Sequence, residues 1–320
     1  MAIRIKRWLR SAGDAGLFFM MFPANFLARR IPLMNSYRMM KIVSSLACLF
    51  AARRRKIIAE EVKLLYGNEF SEKRIRKIVS RSFEIYLKRQ VENVAFDSLT
   101  EDRLERIVSL EGFEHLERAV EGGRGVILLL AHFGSFLLPP AVLGYRGFKV
   151  FQVAGRPLIE QRSFFQKKVF EARKRGTDKM PFQFLLTDTY LGPIVRALKG
   201  GSVVVIAFDG RSATEMIEMK LLERVARFSY GPFRLATRTG AVILPTFVIR
   251  KRDDRHRMVI EPPMDLQQGT ADKKTLSMHT EKYCRIFERY IRHYPCHFAM
   301  TLYTHRKEAE RGLNPPLFIE

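Results

Sequence analysis

His132 lies in the stretch RGVILLLAHFGSFLLPP, Arg124 to Pro140, and its setting suits chemistry. Val126 to Leu130 is an unbroken apolar run, the pattern of a strand buried on both faces. The small turn Ala131-His132-Phe133-Gly134-Ser135 follows at once, and Leu137 starts a second apolar run that suits a helix. Open α/β sheets place their chemistry at such strand exits. An imidazole there can act as a general base, with backbone amides around Gly134 and Ser135 facing an oxyanion. The alternative is a core histidine capped by a backbone group. Ser135 itself reads as a turn or cap serine, because no serine or cysteine sits in a nucleophile elbow. Two further turns would meet His132 at one sheet end, Gly155-Arg156-Pro157 and Asp209-Gly210-Arg211, each after a predicted strand. Together the three offer a base, a carboxylate and cations. Arg156 can hold a phosphate or head group in a bidentate contact, or be a solvated surface arginine.

Strands and helices alternate around these turns. Strands are predicted over Lys149–Val153, Ser202–Phe208, Ala241–Arg250 and Arg257–Glu261, and Pro245 suggests a bulge or an edge position. Helices are predicted over Gln161–Arg175, Tyr190–Lys199 and Leu276–Tyr294. Upstream, Glu60 to Arg106 has helical spacing, with Gly67 able to end one helix. The interval Ser212–Gly231 reads as a loop or helical flap over the site, mixing Met216, Met219, Leu221 and Leu222 with Arg224 and Arg227. Gly231-Pro232 would shape a turn beside the site, or belong to a plain loop. The fold expected is α/β, with a mixed central sheet flanked by helices.

The chain has 56 Lys+Arg against 33 Asp+Glu, a net charge of +23, so a polyanionic partner is expected. Nothing besides charge points to nucleic acid. Cys48, Cys284 and Cys296 are scattered, which suggests neither a zinc site nor a disulfide framework. Pro295 separates His293 from His297, and no metal is expected there. Two apolar runs near the N-terminus, Ala15–Leu27 and Ile42–Ala52, are short and flanked by basic residues. They suit helices lying on an anionic membrane surface or re-entering it, or else two buried core helices. This divides the chain into a membrane-anchoring segment, 1–56, and a catalytic domain, 57–320.

These features are similar to the late acyltransferases of lipid A biosynthesis, in the lysophospholipid acyltransferase superfamily. The resemblance spans about residues 50 to 306 and rests on GRGVILLLAHFGSF, the GRP at Gly155, the FDG at Phe208, YGPFRLATRTGAVILPTFVIR, and FERYIRHYPCHFAMTLYTHRK. It implies a glycerolipid acyltransferase-like fold on the cytoplasmic face of a bacterial inner membrane. It also implies transfer of a fatty acyl group from acyl carrier protein or coenzyme A to a hydroxyl of a lipid or lipid-linked sugar. No cofactor beyond the thioester is expected. The sequence departs from the family's H-x4-D/E signature: Leu137 stands where the acid belongs, and no Asp or Glu occurs between Gly122 and Ile159. Losing the group that orients a catalytic histidine costs ~10⁴ in rate in a Ser-His-Asp triad. Asp209 is the candidate replacement, or else a strand-end carboxylate bonded within its own turn; Glu160 and Asp188 are weaker candidates. His132 and Asp209 are thus the catalytic candidates, and Gly134, Ser135, Arg156, Arg211 and Gly231 the substrate-binding ones. The competing expectation is a non-catalytic lipid-binding relative that lost the acid and kept the groove.

Overall fold

The computed structural model describes residues 31–94, 99–155, 177–186, 191–210, 215–266 and 271–319, with 167, 171 and 174 between them. Three strands with the longest apolar runs form the middle of its main sheet. These are β2 (Val126–Leu130), β5 (Val203–Ala207) and β8 (Val242–Arg250). With β1 (Val108–Glu111), β3 (Val150–Ala154), β4 (Gln183–Leu186) and β9 (His256–Ile260) they make seven strands in the order β1-β9-β8-β2-β5-β3-β4. The pairs from β8 to β4 are parallel, while β9 runs antiparallel to β8 and parallel to β1.

The alternation within each central strand builds two cores. Ile127 and Leu129 join Val204, Ile206, Ile243 and Phe247 on one face. Val126, Leu128 and Leu130 join Val203, Val205, Val242 and Leu244 on the other. Burial on both faces is why these strands read as continuous apolar runs rather than alternating ones. Helices cover each face. The first face packs against α1 (Leu33–Phe50), α2 (Ala52–Tyr66), α3 (Glu72–Val94), α8 (Gly231–Thr239), α9 (Lys273–His293) and α10 (Ala299–Glu310) through residues such as Cys48, Ile58, Phe83, Phe233, Phe287 and Leu302. The second packs against α4 (Glu101–Ile107), α5 (Phe113–Glu121) and α6 (Leu138–Tyr145). Between β4 and β5 lies α7 (Gly192–Lys199).

Several expectations change. Pro245 is neither at an edge nor in a bulge: β8 is an interior strand, paired with β2 up to Pro245 and with β9 from Thr246 onward. The missing N–H thus falls where the strand changes partner, and the Pro245 carbonyl still accepts from the Glu261 amide at 2.9 Å. Part of the interval read as a flap is a hairpin, β6 (Met216–Leu221) and β7 (Arg224–Ser229), which β10 (Phe318–Ile319) extends into a three-stranded antiparallel sheet. Its tip is anchored rather than loose. Leu221 and Leu222 are buried in the core, the Leu222 amide donates to Glu288 at 2.8 Å, and Arg224 pairs with Glu61 at 2.7 Å. The helix expected over Gln161–Arg175 and the apolar run Ala15–Leu27 lie essentially outside the described residues. Among those described, no helix is long and apolar enough to cross a membrane.

Candidate active site

The register of two parallel strands brings the site together. Leu130 at the end of β2 is paired with Ala207 at the end of β5. His132 and Asp209 each stand two residues beyond that pair, so they leave the sheet side by side. Each is pinned by an adjacent buried phenylalanine. Phe133 packs among Phe247, Phe287 and His297, while Phe208 stacks on Phe228 at 4.3 Å and meets Tyr283, tilted, at the same centroid distance. Burying one such ring is worth about 2–3 kcal/mol, enough to fix where the neighbouring polar side chain emerges.

Among the described residues, the Asp209 carboxylate bonds across the sheet to His132 and to His305. Its Oδ1 accepts from the His132 backbone amide at 2.9 Å and lies 2.8 Å from His132 Nδ1. Its Oδ2 lies 3.3 Å from Nε2 of His305, on α10. The Asp209 side chain is fully buried, while 38 % of the His132 side chain is exposed. Burial opposes the charge on Asp209, but His132 and His305 outweigh it and hold the carboxyl well below the usual range. Burial likewise opposes a charge on His132, and the adjacent Asp209 carboxylate overcomes this to raise its pKa above the ordinary value. A carboxylate only accepts hydrogen bonds, so Nδ1 carries the proton, and in the neutral ring Nε2 keeps its lone pair. That is the tautomer of a general base.

The rest of the turn is held from behind. Gly134 has φ +57, and a Cβ there would lie 2.0 Å from the Val248 carbonyl oxygen, so only glycine fits. Its amide donates to the His297 carbonyl at 3.2 Å, so the Gly134 N–H expected to face an oxyanion is turned into the protein. Ser135 is buried, and its hydroxyl accepts from Arg250 at 3.4 Å. Leu137 caps α6 and packs against the apolar cluster of the second face. Arg89 of α3 lies on the other side of the turn, 3.3 Å from the Gly134 carbonyl and over the Phe136 ring at 5.1 Å. Phe136 in turn meets His132 edge-on at 4.7 Å.

Below the turn runs a buried ionic network. Arg250 pairs with Glu92, which also accepts from Tyr37 at 2.7 Å and lies 3.1 Å from His256 Nε2. Burial opposes the Glu92 charge, but Arg250 and His256 hold the carboxyl well below its usual range. Burial and the nearby Arg250 push His297 down to about 3, so the ring is neutral and its Nε2 accepts the Arg250 amide at 3.0 Å.

Of the other predicted site residues, Gly231 opens α8 with its amide on Ser229 Oγ at 3.1 Å. Arg156, Arg211, Glu160 and Asp188 lie outside the described residues. His293 ends α9, while His297 sits in the short 3-10 turn Pro295–His297. Among the described residues no group of His, Cys, Asp and Glu could hold a metal ion. Sequence reasoning missed Arg89, Glu92, Arg250, Thr301 and His305. The last two lie in the TLYTHRK segment, where their spacing of four marks one helix face.

The chain matches the family model described as bacterial lipid A biosynthesis acyltransferase over residues 6–306. It is 26 % identical over 282 residues to the lipid A biosynthesis lauroyltransferase of Escherichia coli (strain K12), covering 83 % of this chain and 88 % of the relative. It is 25 % identical over 228 residues to the lipid A biosynthesis palmitoleoyltransferase of the same strain, covering 70 % and 71 %. A shorter match, 26 % over 147 residues, is to the phosphatidylinositol mannoside acyltransferase of Mycobacterium tuberculosis (strain CDC 1551 / Oshkosh), covering 45 % and 44 %.

Proposed function

Because the chain belongs to the bacterial lipid A biosynthesis acyltransferase family, we propose that it moves a fatty acyl group from a thioester to a hydroxyl of a lipid-linked sugar, with His132 as the base. The observation that carries this is the 2.8 Å contact between His132 Nδ1 and Asp209 Oδ1. Asp209 restores from a neighbouring strand the carboxylate that Leu137 removes from the local motif. His132 Nε2 takes the proton as the acceptor oxygen attacks the thioester carbonyl. The carbon–sulfur bond then breaks, and the imidazolium returns the proton to the leaving thiolate. Asp209 stabilises the imidazolium in between. No covalent acyl-enzyme and no cofactor are needed. The donor we assign is an acyl carrier protein or coenzyme A thioester.

The reaction is assigned to the cytoplasmic surface of an anionic membrane. What supports this is α1. Met39, Ile42, Leu46, Leu49 and Phe50 share one helical stripe and stay exposed, Ile42 by 67 % and Phe50 by 83 %. Arg38 and Lys41 border the stripe, and exposed Arg53 and Lys56 follow on α2. An apolar stripe edged by cations suits a helix lying in an anionic lipid interface. The opposite face of α1 buries Ser36, Tyr37, Ser44 and Cys48 in the protein.

The test is direct. Purified protein with an acyl carrier protein thioester, or acyl-coenzyme A, and an under-acylated lipid A precursor should give a product one acyl group heavier by mass spectrometry. His132→Ala should reduce turnover to background. Undiminished turnover in that variant would remove the base from the mechanism.

A further inference from the structure

Asp209 and His132 come from different strands, and one helix touches both. Thr301 and His305 lie one turn apart on α10. The Thr301 hydroxyl donates to the His132 carbonyl at 2.5 Å, and His305 Nε2 reaches Asp209 Oδ2 at 3.3 Å. Both residues are buried, as is the carboxylate they serve. The rings of His132 and His305 are 6.3 Å apart and nearly perpendicular, so they approach Asp209 from different sides.

Both bonds from His132 to Asp209 end on the same oxygen, Oδ1. A carboxylate held through one oxygen can swing about its last torsion, and that swing would carry Oδ1 off the imidazole. The second oxygen needs its own holder. His305 provides it, and Thr301 fixes the backbone from which the imidazole projects. α10 is itself anchored, since Arg306 bonds Glu60 at 3.2 Å and Glu61 at 3.1 Å on α2. We propose that His305 and Thr301 form a clamp that positions the His132–Asp209 pair, with His305 locking the carboxylate and Thr301 the histidine backbone. In a family member whose acid has moved to another strand, such a clamp does what a short local motif does by chain connectivity. The assignment rests on His132 being the base.

Steady-state kinetics of the full chain test it, with melting temperature read alongside. His305→Leu removes the donor and should lower kcat by about 10- to 100-fold, the rate equivalent of one hydrogen bond to a charged group. KM should stay within about twofold, because the lost interaction acts on the reacting pair and not on bound substrate. His305→Gln keeps an N–H near the same place and should recover most of that rate, whereas His305→Asn, one methylene shorter, should not. In an Asp209→Asn background His305→Leu should cost less than about threefold further, because residues acting through one partner are not additive. Thr301→Ser should be near native and Thr301→Val slow. A native kcat in His305→Leu overturns the clamp, as do equal losses in the Gln and Leu variants or additive losses in the double variant. Should the Leu variant fail to accumulate, the Gln and Asn pair decides by the same criterion. Turnover surviving in His132→Ala would instead sink the base itself, which keeps the two failures apart.

Discussion

Asp209→Asn separates the charge of the carboxylate from its shape. The asparagine oxygen can still accept from the His132 amide and Nδ1, the two contacts of 2.9 and 2.8 Å, while its amide group turns to His305. What is lost is the negative charge beside the imidazolium that forms as the acceptor is deprotonated. With each charge spread over its group, the centres lie about 4 Å apart, which at an effective dielectric of about 20 is worth about 4 kcal/mol. His132 is partly exposed, so solvent screening reduces this to about 3 kcal/mol, or about two powers of ten in rate. If the substitution also lets the wrong tautomer form, the loss approaches ~10⁴. The expected fall in kcat is therefore about 10²- to 10⁴-fold. The pH profile carries an independent sign. The base must be neutral, and Asp209 raises the His132 pKa above its ordinary 6.5, so native activity climbs as pH rises through that raised value. Removing the charge lets the pKa fall, and the acid limb should move to lower pH even as the maximum rate drops. Thioester turnover measured from pH 5 to 9 reads both. A loss below about tenfold, or an acid limb that stays in place or moves up, would refute the argument.

Three other outcomes follow from the same structure. Gly134→Ala forces a side chain into left-handed backbone and against the Val248 carbonyl, and should cost about 3 kcal/mol or more in denaturant unfolding, together with activity. Glu92→Gln takes the nearer of two carboxylates from the buried Arg250 charge, leaving Asp254 at 3.7 Å, and should destabilise by about 3 kcal/mol, read as a lower denaturation midpoint. Ile42→Glu with Leu49→Glu should weaken cosedimentation with vesicles containing anionic lipid by at least about tenfold, since each buried aliphatic side chain is worth about 2 kcal/mol, while leaving the melting temperature near native.

The sequence by itself determined the central strands. Val126–Leu130, Ser202–Phe208 and Ala241–Arg250 were legible because burial on both faces demands unbroken apolar runs, and their exit turns followed from them. Five other strands, β1, β4, β6, β7 and β10, were not legible. β1, β4 and β10 exist because a neighbouring edge accepts them, and the β6–β7 hairpin turns through Leu222 at φ +54, without the Asn-Gly or Asp-Gly pair that marks such turns. Pro245 misled because the handover of β8 from one partner to another is a property of the sheet, not of the strand. The site divides along the same line. A histidine after a buried strand and an acid after another could be picked out from their local context. That β5 lies beside β2, in the register that sets Ala207 against Leu130, was decided only by tertiary packing. So was the arrival of α10 with Thr301 and His305, more than 160 residues along the chain from His132. Local patterns record which surfaces must be hidden from water, because burial acts residue by residue. Which hidden surfaces meet depends on the sheet and its helices closing together, and it is that closure which sets a carboxylate against the imidazole.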